Sequence, residues 1–304
     1  MNKELPKIIV ICGPTASGKT GWSLALAKKF NSEIISADSR QIYKEMNIGT
    51  AKESGVWQKG AYLINKIPHY LIDTIYPNEI YSAAQFSVEA KNVVKNIYKK
   101  KKTPFIVGGT GLYIDVLINN FSIPEVKPNL VLRVSLEEKS LVELQELLKK
   151  IDPETYQTID LKNKRRLSRA LEVVITTGES FKNKQQKGKK LFNVLYIGID
   201  LPREILYDRI NTRIDEQIKT GLLGEVESLA NKYSWESPAM SGIGYRQFKD
   251  YFAGLITLDK AKEDLKQATR QYAKRQLTWF KRNQEINWCK SLAEAEKLVQ
   301  NFLK

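Results

Sequence analysis

Near its start the chain reads Gly13-Pro14-Thr15-Ala16-Ser17-Gly18-Lys19-Thr20. Residues 8–11 before it are apolar and β-branched, and residues 24–28 after it have a helical pattern. In this strand–loop–helix context, the spacing G-x-x-x-x-G-K-[ST] is typical of a phosphate-binding loop, whose amides surround an anion at the positive end of the helix. The sequence therefore predicts that residues 13–20 bind a di- or triphosphate. Lys19 would add a positive charge, and the Thr20 hydroxyl would reach a Mg²⁺ ion.

The rest of the chain predicts an α/β fold, with a P-loop-containing, parallel, doubly wound sheet as its core. Apolar runs predict strands at 7–12, 33–37, 104–107, 194–199 and 285–289, and helical patterns separate them. The core domain comprises residues 1–120 and 191–304. Residues 121–190 form a helical, basic insertion, which begins with a linker that contains Pro124 and Pro128.

Composition excludes several classes of protein. The chain has 304 residues, of which 42% are hydrophobic, so it can bury a sizeable core. We find no apolar run of the roughly 20 residues that a membrane helix needs and no signal-peptide pattern, and we expect a cytoplasmic protein without a membrane partner. Cys12 and Cys289 stand alone, which argues against disulfides and zinc sites. With His69 as the single histidine, histidine metal sites and serine–histidine triads are not expected.

The net charge of +15 is concentrated in two segments. Residues 161–190 carry a net +8 and residues 260–282 a net +6. In the first segment, Asn163 is typical of a helix N-cap and Gly178 of a helix end. The helical spacing between them places Leu167, Ala170, Leu171 and Val174 on one face and Arg165, Arg166 and Arg169 on the other. Arginines gathered in this way favour a polyanionic partner such as RNA.

Asp38 is the acid that ends a predicted strand opposite the phosphate loop. It could bind the Mg²⁺ ion or act as a general base. The strand at 104–107 runs into Gly108-Gly109-Thr110-Gly111 and not into a second acid, which favours the general base. From these residues alone we infer a phosphate-loop protein that acts on nucleic acid, and three alternatives stay open. They are a small-molecule kinase, an isopentenyltransferase that acts on free adenine nucleotides, and a non-catalytic RNA-binding module.

Several motifs together resemble the tRNA dimethylallyltransferases (tRNA isopentenyltransferases) of the IPP transferase family, of the bacterial type. The similarity covers nearly the whole chain in order. Its segments are GPTASGKT (13–20), ISADSRQIYKEMNIGTAK (35–52), PHYLID (68–73), IVGGTGLYI (106–114), RRLSRALEV (165–173), IGIDLPRE (197–204), GLLGEVESL (221–229), IGYRQF (243–248) and RQLTWFKR (275–282).

The resemblance implies transfer of a dimethylallyl group from dimethylallyl diphosphate to N6 of adenosine 37 in the tRNA anticodon stem-loop, with release of diphosphate. Asp38 would be the base, Thr110 would lie where donor and RNA meet, and Arg213 would neutralise the departing diphosphate together with Lys19. Residues 13–20 would hold the diphosphate, with Mg²⁺ at Thr20. We expect one copy of the chain to act alone. The RNA contacts that the resemblance implies are Asp38, Ser39, Arg40, Gln41, Thr110, Arg133, Arg165, Arg166, Arg169 and Arg246.

Overall fold

The computed structural model describes residues 5–121, 129–182 and 188–304, and nothing of the Leu130 side chain. The predicted linker prolines, Pro124 and Pro128, lie outside these residues, as do Lys184 and Lys187 of the first basic segment. The chain divides into two compact units. We call residues 1–118 and 191–304 the core unit and residues 119–190 the insertion unit.

The core unit contains a sheet of eight strands in the order β3-β4-β5-β2-β6-β1-β7-β8. All neighbours from β5 to β8 are parallel, and β3, β4 and β5 are joined by antiparallel pairs. The strands are β1 (Lys7–Cys12), β2 (Glu33–Ser36), β3 (Val56–Gln58), β4 (Ala61–Ile64), β5 (Ile67–Tyr70), β6 (Pro104–Gly108), β7 (Asn193–Ile199) and β8 (Ile286–Cys289).

The five strands predicted from the sequence are confirmed, as is the parallel α/β core. Strands β3, β4 and β5 were not predicted from the sequence. They have only three or four residues each, and short turns connect them. These short strands lack the long apolar run that identified the central ones, and β3 is exposed along its whole length.

Helices cover the sheet and build the insertion unit. They are α1 (Lys19–Lys29), α2 (Ala83–Lys99), α3 (Gly111–Ile118), α4 (Leu130–Glu138), α5 (Leu141–Ile151), α6 (Pro153–Tyr156), α7 (Lys164–Thr177), α8 (Arg203–Lys219), α9 (Leu222–Tyr233), α10 (Lys249–Phe252), α11 (Leu258–Phe280) and α12 (Leu292–Leu303), with 3₁₀ turns at Pro238–Ser241 and Arg246–Phe248. Within the described ranges, no helix is long and apolar enough to span a bilayer.

Helix α7 of the insertion unit confirms the predicted capping. The Asn163 side chain accepts a hydrogen bond from the Arg166 amide, and Gly178 ends the helix with φ at 70°. The apolar face that the sequence predicted is buried, because Leu167, Ala170, Leu171 and Val174 belong to the core that α7 forms with α4 and α5.

Three neighbouring strands position the candidate site. β1 and β2 flank β6 in parallel register, so their carboxyl ends lie at one edge of the sheet. The chain leaves β1 into the loop at 13–18, leaves β2 toward Asp38, and leaves β6 toward Thr110. Ligands of open α/β sheets bind at this edge.

Candidate functional site

The loop at 13–18 connects β1 to α1 with strained backbone. Gly13 and Gly18 have φ values of 153° and 97°, and the non-glycine residue Ala16 has φ of 63°. No side chain caps the first turn of α1, so its amides are available to an anion. The buried Ser17 hydroxyl has no hydrogen-bond partner among the described residues. A buried hydroxyl without a partner is unfavourable unless a ligand satisfies it, which fits an anion seat.

Lys19, at the start of α1, is held over the same loop. Its Nζ donates a hydrogen bond to the Pro14 carbonyl oxygen at 2.7 Å. Burial lowers the pKa of Lys19 to about 8; Asp38 opposes this shift and Arg213 adds to it. Two charged groups that were predicted to be catalytic, Asp38 and Arg213, thus act electrostatically on the third, Lys19. A lysine in this state would gain a proton as an anion binds beside it.

Asp38 is fixed by its own backbone turn just after β2. Its Oδ1 atom accepts hydrogen bonds from the amides of Arg40 at 2.8 Å and Gln41 at 3.3 Å. The side chain is half-buried, so it keeps access to solvent or ligand. A carboxylate held in one orientation can accept a proton from a bound group.

Thr110 lies directly against the segment that carries Asp38. Its Oγ1 accepts a hydrogen bond from the Ser39 amide at 3.0 Å and donates one to the Ser39 hydroxyl at 3.2 Å. The approach is close: a Cβ on Gly108 would lie 2.1 Å from the Ala37 carbonyl oxygen. Glycine at 108 is therefore required for the β6 loop to meet the β2 loop.

Helix α8 supplies the arginines on the other side of the phosphate loop. Ala16 and Gly18 line a cleft of about 470 Å³ together with Ile205, Asp208, Arg209, Thr212, Arg213 and Glu216. Burial lowers the pKa of Arg213, while Glu53 and Glu216 raise it. The structure thus brings Arg213 to the predicted diphosphate seat, together with Arg209 one turn earlier on the same helix.

The remaining predicted residues of the core unit have varied surroundings. Arg40 donates to the Ala239 carbonyl oxygen at 3.4 Å, and Gln41 donates to the carbonyl oxygens of Thr50 and Ala51. Arg246 is exposed at the start of a 3₁₀ turn.

In the insertion unit, the predicted arginines fall into two groups. Arg165 and Arg166 are exposed. Arg133 binds both carboxylate oxygens of Glu172, at 2.8 and 3.0 Å, and Arg169 donates to the same carboxylate at 2.7 Å. Glu172 is 1% exposed. The sequence analysis counted Glu172 only as one negative charge, whereas the structure shows it partly neutralising two of the predicted RNA contacts.

Sequence reasoning also missed residues that hold the site together. Glu225 on α9 accepts hydrogen bonds from the amides of Asn47, Ile48 and Gly49 at 2.9, 2.7 and 2.9 Å, and from the Tyr245 hydroxyl at 2.8 Å. This one carboxylate fixes the loop after the Asp38 segment. Glu225 and Tyr245 lie in the motifs quoted at 221–229 and 243–248, but nothing in the sequence indicates that these two motifs are in contact.

Helix α11 contributes two more such residues, Gln276 and Trp279. The Gln276 amide hydrogen-bonds to Thr15 and Gly109, and the Trp279 indole donates to Asp115 at 2.9 Å. Trp279 also lies where a Cβ on Gly111 would fall, 2.3 Å from the nearest ring atom. The sequence analysis placed these residues in a basic segment without a defined role.

The residues present suit a Mg²⁺ ion that takes few ligands from the protein and the others from a bound phosphate. Among the described residues there is no group of three or more His, Cys, Asp or Glu side chains that could hold a metal by themselves. Thr20 follows Lys19 in the first turn of α1. Mg²⁺ commonly takes one or two protein oxygens and completes its shell with phosphate oxygens and water.

Comparisons with known proteins agree with this geometry. The sequence model of the family described as IPP transferase matches residues 41–283. A tRNA dimethylallyltransferase of Anoxybacillus flavithermus is 44% identical over 284 residues, which are 93% of this chain and 89% of the relative.

Solved structures extend the agreement to the fold. The full-length tRNA isopentenylpyrophosphate transferase of Bacillus halodurans matches with a TM-score of 0.73 at 35% identity, over 98% of this chain and 96% of that one. A eukaryotic dimethylallyltransferase, captured in crystallographic snapshots acting on tRNA, matches with a TM-score of 0.75 at 30% identity, over 90% of this chain and 70% of its own. Because sequence and fold agree along nearly the whole length, this chain belongs to the IPP transferase family.

Proposed function

We propose that this protein transfers a dimethylallyl group from dimethylallyl diphosphate to N6 of adenosine 37 in tRNA. The observation that carries the proposal is the placement of Asp38. Its fixed carboxylate acts electrostatically on Lys19 of the phosphate loop, and the next residue, Ser39, is hydrogen-bonded to Thr110. A diphosphate seat and a base at the same sheet edge are the two groups that alkylation of an amine by a diphosphate donor needs. Family membership supports the same reaction.

The donor's diphosphate binds in the loop at 13–18, where the α1 amides, the Ser17 hydroxyl and Lys19 face it. Arg213 neutralises it from α8. Negative charge on the leaving oxygen grows as the allylic C–O bond breaks, so these cations stabilise the transition state more than the bound substrate. A Mg²⁺ ion held by Thr20 and the diphosphate would supply further positive charge.

The acceptor is the exocyclic amine of an extruded adenine. Asp38 accepts a proton from N6 as the N6–C1 bond forms and the C1–O bond breaks, so the products are the N6-alkylated adenosine, diphosphate and a protonated carboxyl group. Thr110 and Ser39 lie next to Asp38 and orient the adenine. Flipping the base out of the anticodon loop costs a few kcal/mol, which contacts in the pocket offset.

The RNA backbone is contacted by arginines of both units. Arg165 and Arg166 are exposed on α7, and in the core unit Arg246 is exposed and Arg40 lies two residues after Asp38. Arg133 and Arg169 also contact phosphate in this proposal, since an arginine has five N–H donors and can share them between a carboxylate and a phosphate. One chain supplies every residue named here, so we propose that a monomer is active.

One incubation tests the proposal. The protein is mixed with radiolabelled dimethylallyl diphosphate, Mg²⁺ and an unmodified tRNA that carries A36-A37-A38, and label is measured in the RNA and at the modified base. Replacement of A37 by guanosine is the control. Two parallel incubations test the alternatives. Label transferred to adenosine monophosphate supplied in place of tRNA, but not to tRNA itself, would indicate an enzyme of free nucleotides, and phosphorylation of a small molecule in a mixture that contains ATP would indicate a kinase.

A further inference from the structure

The side chain of Gln276 bridges two loops of the core unit. It projects from α11 and is 6% exposed. Its Oε1 atom accepts a hydrogen bond from the Thr15 amide at 2.8 Å, and its Nε2 atom donates one to the Gly109 carbonyl oxygen at 2.9 Å. One end of a single amide therefore holds the phosphate loop, and the other end holds the loop after β6.

The contact with Gly109 leaves no room for a larger residue. A Cβ at position 109 would lie 2.2 Å from Nε2 of Gln276, well inside the closest real contacts. The next residue, Thr110, is hydrogen-bonded to Ser39 beside Asp38. A path of hydrogen bonds, with the peptide bond between Gly109 and Thr110 as its one covalent link, thus runs from Thr15 in the donor seat, through Gln276, to the segment that carries the base.

We infer that Gln276 is a positioning residue for prenyl transfer, which sets the separation between the diphosphate seat and the acceptor pocket. The inference depends on the proposed function. Alkylation requires the donor carbon and N6 to lie about 3–3.5 Å apart in line with the leaving oxygen, and an error of about 1 Å can cost about 10²-fold in rate. Gln276 touches neither reacting group; it acts through the two loops that do.

Helix α11 is suited to this role because it is fixed independently of Gln276. Its 23 residues include Arg270, which donates to Asn211 of α8 at 2.8 Å, and Trp279, which donates to Asp115 of α3. Loss of the Gln276 amide should therefore leave the helix and both loops in place but change their spacing slightly.

Two substitutions separate positioning from folding. Gln276→Met keeps the length of the side chain but removes both hydrogen bonds. We expect kcat to fall about 10–100-fold, while KM for each substrate stays within about threefold of wild type. The matched control is Gln267→Met, at an exposed position of the same helix, which should leave kcat unchanged.

Gln276→Glu adds a second test, whose expected result, a recovery of kcat at low pH, would not be seen if Gln276 only stabilised the fold. As a carboxylate it cannot donate to Gly109, but protonation restores the donor, and burial raises the pKa of such a carboxyl group. Its kcat relative to wild type should therefore recover as the pH is lowered, whereas the ratio for Gln276→Met should not change. A Met variant with kcat within about threefold of wild type, or a Glu variant that does not recover, would overturn the inference. If the wild-type protein itself does not alkylate tRNA, the proposed function fails instead.

Discussion

Replacing Asp38 by asparagine isolates its role as a base. The hydrogen bonds from the amides of Arg40 and Gln41 both end on Oδ1, which asparagine retains. We therefore expect the turn to keep its geometry and the free energy of unfolding to change by about 1 kcal/mol or less. What is lost is the group that accepts the N6 proton, and general-base contributions of about 10²–10⁴-fold predict a barrier higher by about 3–5 kcal/mol.

The pH of the assay decides whether the loss of the base is measured separately from a change in the charge of Lys19. Burial lowers the pKa of Lys19 to about 8, and the negative charge of Asp38 keeps it from falling further. The variant should therefore lose the Lys19 proton at a lower pH than wild type does. An assay near pH 6.5, about 1.5 units below that value, keeps Lys19 charged in wild type and limits this second effect in the variant.

The assay is a single-turnover measurement in which enzyme and labelled donor are in excess over tRNA, so it reports the chemical step without product release. Asp160→Asn is the matched control, because Asp160 is an exposed aspartate whose Oδ1 also accepts from a nearby amide, that of Lys162 at 3.1 Å. It should keep the wild-type rate. If Asp38→Asn reacts within about fivefold of wild type, the carboxylate is not the base and the reasoning is refuted.

Three further predictions follow from the same geometry. Because the protonated form of Lys19 binds the diphosphate and its pKa is about 8, kcat/KM for dimethylallyl diphosphate should fall as the pH rises through that value. Gly111→Ala should lower the free energy of unfolding, measured in urea, by about 1–3 kcal/mol, because the new methyl group would overlap the Trp279 ring. Replacing both Arg165 and Arg166 by alanine should weaken tRNA binding. It should also lower the slope of log affinity against log salt concentration by about 0.7 for each lost phosphate contact.

Each of these predictions has its own control. Lys19→Arg should move the fall in kcat/KM to higher pH, and a profile of the wild type that is flat to about pH 9.5 would contradict the assignment. Gly224→Ala, on an exposed face of α9 with open space around it, should raise the free energy of unfolding by about 0.5–1 kcal/mol. Replacing Lys290 and Lys297 by alanine removes the same charge from an exposed part of the core unit. If the salt slope of the tRNA affinity falls equally in that variant, α7 has no special role in RNA binding.

Glycines show how far the sequence could be interpreted. The positive φ values of Gly13 and Gly18 agree with the loop that the sequence predicted between β1 and α1, because the motif depends on a local spacing of backbone conformations. The need for glycine at 108, 109 and 111 could not be predicted in the same way. These residues are small because Ala37, Gln276 and Trp279 approach them, and those partners are far away in the sequence.

The sequence by itself determined the central strands, the phosphate loop, the capping and apolar face of α7, and the family, since each depends on short-range pattern or on ordered motifs. Tertiary structure alone decided which charges meet. It placed Asp38 and Arg213 near Lys19, buried Glu172 between Arg133 and Arg169, and joined two loops through Gln276. The physical reason is that a hydrogen bond or an ion pair depends on distance in space, and residues far apart in the chain become neighbours only when the sheet and its helices pack.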